Sequence, residues 1–233
     1  MLRQLPQALA LLTTHSSKEY FMALPVQTIV GGVAPATAGS LPQSLRVGAT
    51  GELIAAELHG CYYEPCVRKT MFSGSNIAAV ATSAGFSLAD TGFCLTNPIG
   101  STVNLVLNKI KYAPLAAQSA ALQLGLMTGY SASSAVSQTT PLVALSNFVG
   151  QPAGQGLIAA AVTMPVAPTR VILLDSLLTG AITVSPTGGC NVLDMQGSLI
   201  VPPGGYVAFY TSAASAAASL SFGMTWEEVS IVI

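Results

Sequence analysis

From Asn76 onward the sequence is cut into short β-type segments with turn-forming residues between them, and in some of these apolar side chains recur at every second position. Residues 102–112 show the pattern best: Val103, Leu105 and Leu107 share one face, while Asn104 and Asn108 share the other. A period of two is the mark of a strand with one buried face. Leu122, Leu124 and Leu126 repeat it. Further strands are expected at 76–82, 92–96, 121–128, 157–163, 169–174, 181–185, 197–201, 205–211 and 220–229. Between two of them, Pro202-Pro203-Gly204-Gly205 dictates a tight turn.

About ten short strands with hardly a helix between them imply antiparallel sheets packed face to face. The expected fold is therefore all-β, an antiparallel β-sandwich of jelly-roll type. Residues 1–50 are expected to form an extended N-terminal arm, because Gly31-Gly32, Pro35, Gly39, Pro42 and Gly48 come too close together for a long regular element. Residues 51–233 would form the sandwich body. The helical candidates are 5–12 and 213–218, of which the second is better read as an Ala/Ser loop. Residues 129–156, rich in Ser, Thr, Gly, Gln and Pro, are a long excursion between the two halves, and loops of that length carry function or contacts.

Charge then limits how such a body can meet water. The chain has eight Lys or Arg and nine Asp or Glu in 233 residues, or 7% charged, against 51% hydrophobic. A typical soluble domain has about 25% charged residues. A surface so poor in ions must be Ser, Thr, Gln, Asn, Gly and Ala, and part of it must face partners. A membrane is not the expected partner, since a spanning helix needs roughly 20 consecutive apolar residues. Even 116–127, the nearest approach, is broken by Gln118, Ser119 and Gln123. Six per cent aromatics is also too few for the girdles of a transmembrane barrel. The apolar run 5–12 follows a single cation and lacks a small-x-small cleavage site, so a docking arm is expected in place of a leader, and residues 1–21 read as an extension before Met22. The only close basic pairs are Arg68-Lys69 and Lys109/Lys111, which excludes nucleic acid as an expected partner.

The sequence offers little from which to build an active site. His15 and His59 are the only histidines, no Gly-x-Ser-x-Gly elbow occurs, and the Gly-Gly pairs lack the Lys-Ser/Thr of a phosphate loop. His59, Cys61 and Cys66 suggest half a metal site, but the second ligand pair is missing. Neither metal nor cofactor is expected. Cys61, Cys66, Cys94 and Cys190 are read as small buried apolar residues of a reducing compartment. Glu227 and Glu228 are neighbours on one strand, so their carboxylates point to opposite faces and cannot flank one glycosidic bond. The expected protein is not an enzyme.

Several segments together resemble structural virion proteins of tailed bacteriophages, of the head-decoration or cement kind. They are Arg46-Val-Gly-Ala-Thr-Gly-Glu-Leu-Ile54, Glu57-Leu-His-Gly-Cys-Tyr-Tyr-Glu64, Leu95-Thr-Asn-Pro-Ile-Gly-Ser-Thr-Val-Asn104, Val201-Pro-Pro-Gly-Gly-Tyr-Val207 and Trp226-Glu-Glu-Val229. The resemblance spans residues 40–230 and implies a homotrimer bound to the major capsid protein or other virion proteins, located in a virion assembled in the host cytoplasm, with no enzymatic residues. Leu9, Leu12, Tyr62, Tyr63, Phe72 and Trp226 are the expected interface residues. The rival expectation is a receptor- or glycan-binding module of a fibre or tail tip, its ligand held by Tyr130, Asn147 and Phe148 of the excursion.

Overall fold

The alternation becomes sheet wherever a strand has neighbours on both edges or a core beneath it. The structure is a computed structural model and describes residues 60–116, 118, 121–177 and 189–231. All lie within the compact unit Glu57–Ile233. Among them are one short helix, α1 (Tyr63–Val67), and eleven strands: β1 (Met71–Ser75), β2 (Ala89–Thr96), β3 (Val103–Pro114), β4 (Leu122–Tyr130), β5 (Ser137–Leu142), β6 (Leu145–Ser146), β7 (Leu157–Thr163), β8 (Arg170–Leu177), β9 (Asn191–Val201), β10 (Gly205–Thr211) and β11 (Leu220–Ser230). The expected N-terminal arm, the helix at 5–12 and the strand at 181–185 fall outside the described residues.

Two sheets form, in the orders β6-β1-β11-β3-β9 and β5-β7-β2-β10-β4-β8, and every strand pair is antiparallel. Setting β5, β6 and β7 aside leaves β1-β11-β3-β9 facing β2-β10-β4-β8. In that frame each successive strand changes sheets except from β4 to β8, which pair with each other, and this is the doubled Greek key of a jelly roll. The remaining three strands are an insertion between β4 and β8 that widens both sheets on one side: β7 and β5 extend from β2, and β6 extends from β1.

The core lies between the sheets. On β11, Leu220, Phe222, Met224 and Trp226 form one inward row, all at most 2% exposed. They meet Phe93, Leu95, Leu124, Leu126, Val207 and Phe209 from the opposite sheet. Phe222 stacks on Phe209 with ring centroids 4.1 Å apart, and Phe209 meets Phe93 edge-on at 6.2 Å. Full burial of one such side chain stabilises the fold by about 1.5–3 kcal/mol. The turn at 202–205 forms as expected, with the Gly205 N–H donating to the Pro202 carbonyl at 2.8 Å. Gly204 takes φ +82°, where a Cβ would be strained.

Three expected elements came out differently. Residues 76–82 are not a strand, because the Asn76 side chain substitutes for strand pairing. Its amide oxygen accepts from the Phe222 N–H at 2.6 Å, its Nδ2 donates to the Leu220 and Ala78 carbonyls, and only Val80 makes an isolated bridge to Leu220. Ile77 is left 98% exposed. The excursion 129–156 is not one loop, since it contains β5 and β6. β9 begins six residues before the expected start at 197; as a sheet-edge strand mostly open to solvent, it needs no apolar alternation in its first half. The loop at 213–218 is a loop as expected.

The insertion is latched to the sandwich by one carboxylate. Glu228 continues the inward row past Trp226 and is 8% exposed. Its oxygens accept from the backbone N–H groups of Gln155 (3.0 Å) and Gly156 (2.8 Å) and from Trp226 Nε1 (3.4 Å). Glu227 points the other way and accepts from the Thr70 hydroxyl at 3.2 Å, so the two neighbouring carboxylates do lie on opposite faces. Glu228→Ala leaves these donors buried without an acceptor and is expected to lower unfolding stability by about 3 kcal/mol. Urea denaturation measures this, and a loss below about 1 kcal/mol would show that the latch is not structural.

Candidate interaction surface

Of the expected interface residues, Leu9 and Leu12 fall outside the described residues. Phe72 and Trp226 are corrected: they are 6% and 0% exposed, pair across β1 and β11, and stack with centroids 6.3 Å apart inside the core. A side chain sealed between two sheets of its own chain cannot also be presented to a partner. Tyr62 and Tyr63 are surface residues, half-buried and 48% exposed respectively.

A run of exposed apolar side chains that the sequence reading did not single out as a contact lies on the insertion. Between β5 and β7, Val143 is 72% exposed, Leu145 60%, Phe148 41% and Val149 92%. The segment is held in place by polar contacts that leave these side chains outward. The Asn147 N–H donates to the Met71 carbonyl at 2.9 Å, Ser73 Oγ donates to Asn147 Oδ1 at 2.6 Å, and Lys69 Nζ lies 5.8 Å from the centre of the Phe148 ring. Four exposed apolar side chains thus fall within seven residues, which makes the segment a candidate contact surface. The sequence hinted at it in Val143-Ala-Leu145 and Phe148-Val149, which interrupt an otherwise polar stretch.

A second feature lies beside the five-stranded sheet, at α1 and Tyr62. Tyr62 donates from its hydroxyl to Asp194 Oδ1, which also accepts from the Gln196 N–H at 3.1 Å. Lys109 Nζ sits 4.3 Å from the Tyr62 ring centre. Burial, and then the bond to Asp194, push the Tyr62 phenol up to about 12. Beside it β9 bulges: Leu107 pairs with Leu199 and Lys109 with Asp194, so 195–198 stand opposite the single residue Asn108. Gln196 and Gly197 absorb the detour at φ 48° and 75°. The result is a cleft of about 390 Å³ bounded by Tyr62, Pro65, Asn108, Asp194, Gln196 and Glu227. Among the described residues no three His, Cys, Asp or Glu side chains converge to hold a metal ion. The cysteines there are free, with Cys94 buried as expected but Cys61 and Cys190 exposed.

The third feature is a buried titratable group beneath a strap. β7 and β8 lie on opposite sides of β2-β10-β4, so the connection 164–169 crosses the outer face of that sheet. Met164 N–H donates to the Leu88 carbonyl, Tyr206 hydroxyl to the Val166 carbonyl and Thr169 N–H to the Thr128 carbonyl, at 2.8, 2.6 and 3.0 Å. Cys94, Met127, Ala159, Val162, Met164, Tyr206 and Ala208 form a second apolar cluster there. Asp90 is 2% exposed and lies in one cross-strand row with Val162 and Gln138; its Oδ1 and Gln138 Nε2 have no hydrogen-bond partner. Burial pushes the Asp90 carboxyl up to about 8, opposed by the Thr91 backbone, and burial also raises the Cys94 thiol and takes the Tyr206 phenol to about 12.

No helix among the described residues is long and apolar enough to cross a membrane. Compared with protein-family models, curated proteins and solved structures, the chain shows no match.

Asp90 sets a pH dependence. Its carboxyl keeps a proton in the folded chain from its ordinary 3.8 up to about 8, a range over which the unfolded chain has released it. Stability is therefore complete at acid pH and declines as pH rises through that window, by at most about 1.4 kcal/mol per pH unit. Urea midpoints are expected to be higher at pH 5 than at pH 8, and Asp90→Asn to flatten the difference. An equal slope in the variant would assign the dependence to other groups.

Proposed function

We propose that the chain is a structural protein of a virus particle: a decoration or cement protein that self-associates as a homotrimer on the shell of a tailed bacteriophage. The observation that carries this reading is the apolar edge formed by Val143, Leu145, Phe148 and Val149, on a chain with only 7% charged residues. Burying each aliphatic side chain of that edge against a sister copy adds about 1.5–3 kcal/mol, and a shell that presents many copies multiplies weak contacts by avidity. A jelly-roll body suits such a role, since the architecture recurs in capsid proteins, although it also serves lectins and cupins.

In this reading the insertion edge replaces Phe72 and Trp226 as the apolar contact. Tyr63 marks a second contact, Tyr62 being engaged by Asp194, and residues 1–50, with Leu9 and Leu12, lie across a neighbouring subunit. The major capsid protein is the other partner, and the protein would reside in virions assembled in the host cytoplasm.

Light scattering on the purified chain at micromolar concentration is expected to report three times the 23.7 kDa chain mass. Val143→Asp with Val149→Asp is expected to weaken association at least tenfold while leaving the fold intact, because neither side chain is buried. A monodisperse wild-type monomer would overturn the proposal, as would a double variant that associates like the wild type.

A further inference from the structure

The cleft under Tyr62 sets the side chains of Cys61, Tyr62 and Pro65 against three polar side chains that have oxygens free to accept: Asn108, Asp194 and Glu227. Its floor is Asn108 on β3, which is 7% exposed. The Asn108 amide nitrogen reaches only the sulfur of Met71, at 3.5 Å, a weak acceptor. Among the described residues its Oδ1 accepts nothing, so this amide oxygen at the floor of the cleft is open to a donor from a ligand.

The two sides carry one carboxylate each. Glu227 on β11 uses Oε1 for Thr70, and Asp194 on β9 uses Oδ1 for Tyr62 and Gln196. Among the described residues the other oxygen of each carboxylate has no partner. β11, β3 and β9 are consecutive in the sheet, and along β3 Glu227 is in register with Val106 while Asp194 is in register with Lys109, so the two residues stand two strand spacings and three residues apart, about 14 Å at the backbone. That is too wide for both to grip one metal ion and wide enough for a ring to lie over Asn108. Lys109, paired in register with Asp194 and seated on the Tyr62 ring, offsets one of the two negative charges. A ligand of many hydroxyls and no charge satisfies these groups better than a cation does. The Tyr62 and Pro65 side chains supply an apolar wall, and about 390 Å³ is near the lower end of small-molecule sites.

We infer that this cleft binds a neutral saccharide unit, with Asp194, Glu227 and the Asn108 carbonyl accepting its hydroxyls and Tyr62 bounding one side of the ring. The site is separate from the apolar insertion edge and does not depend on the proposal that the protein trimerises. Surface attachment to glycan would be a second activity carried on the same sandwich.

The test is saturation-transfer NMR on the full chain with free glucose, galactose, mannose and N-acetylglucosamine at millimolar concentration. At least one sugar is expected to bind, and Asp194→Ala and Asn108→Ala to weaken it at least tenfold. Glu227→Gln, the milder change, is expected to weaken it with an unaltered thermal melt, which separates lost recognition from lost folding. Tyr130→Ala, on the 129–156 excursion, is expected to bind as the wild type does. Absence of any sugar signal overturns the inference, as does binding that Tyr130→Ala abolishes and Asp194→Ala does not. Displacement of the sugar by calcium chloride would overturn it too, by identifying the cleft as a cation site. Light scattering on the same variants is expected to be unchanged, so that failure here and failure of the trimer are separate results.

Discussion

The inward row of β11 holds the sandwich together. Leu220, Phe222, Met224 and Trp226 come from the strand between β1 and β3, and their side chains reach the opposite sheet through Phe209 and Phe93. Every other element is placed by reference to that row. β1 aligns Phe72 with Trp226, Asn76 ends the β1–β11 ladder by bonding to Phe222, and Glu228 extends the row to the sandwich rim, where it holds the insertion. Losing the row would separate the sheets before it disturbed any one strand.

The two sheets then use their outer faces in different ways. The six-stranded sheet is covered by its own strap at 164–169, which turns Cys94, Met127 and Tyr206 into a second interior and shuts Asp90 away from water. On the five-stranded sheet, among the described residues, α1 and the bulge at 195–198 border an open cleft. Burial without partners raises the Asp90 carboxyl on the first face, whereas the cleft leaves acceptors open to a ligand on the second. Four of the described carboxylates occupy defined positions in this arrangement: Glu228 as a latch, Asp90 under the strap, Asp194 and Glu227 at the cleft.

Legibility in the sequence followed burial. Strands β3, β4, β7, β10 and β11 were readable because each lies inside a sheet with an alternating or wholly apolar pattern that water and core enforce residue by residue. The first half of β9 was not readable, because an edge strand needs no apolar face, and Asp194-Met-Gln-Gly197 looks like a turn until its partner β3 is known. Asn76–Thr82 was misread for the opposite reason: its apolar residues form an unbroken run suited to a buried strand, but the Asn76 amide takes the hydrogen bonds a strand would have used. For the candidate sites, Tyr62 and the opposed directions of Glu227 and Glu228 could be inferred, while Asn108 in the cleft and the exposed insertion edge could not.

By itself the sequence determined the fold class, the turn at Gly204 and the scarcity of surface charge, because alternation, turn chemistry and composition are properties of neighbouring residues or of simple counts. Only the tertiary structure decided that Trp226 and Phe72 face inward, that 195–198 bulge opposite Asn108 and that 143–149 remain uncovered. Those outcomes depend on strands far apart in the chain meeting in one register, and no local pattern encodes which of two apolar faces a distant strand will cover.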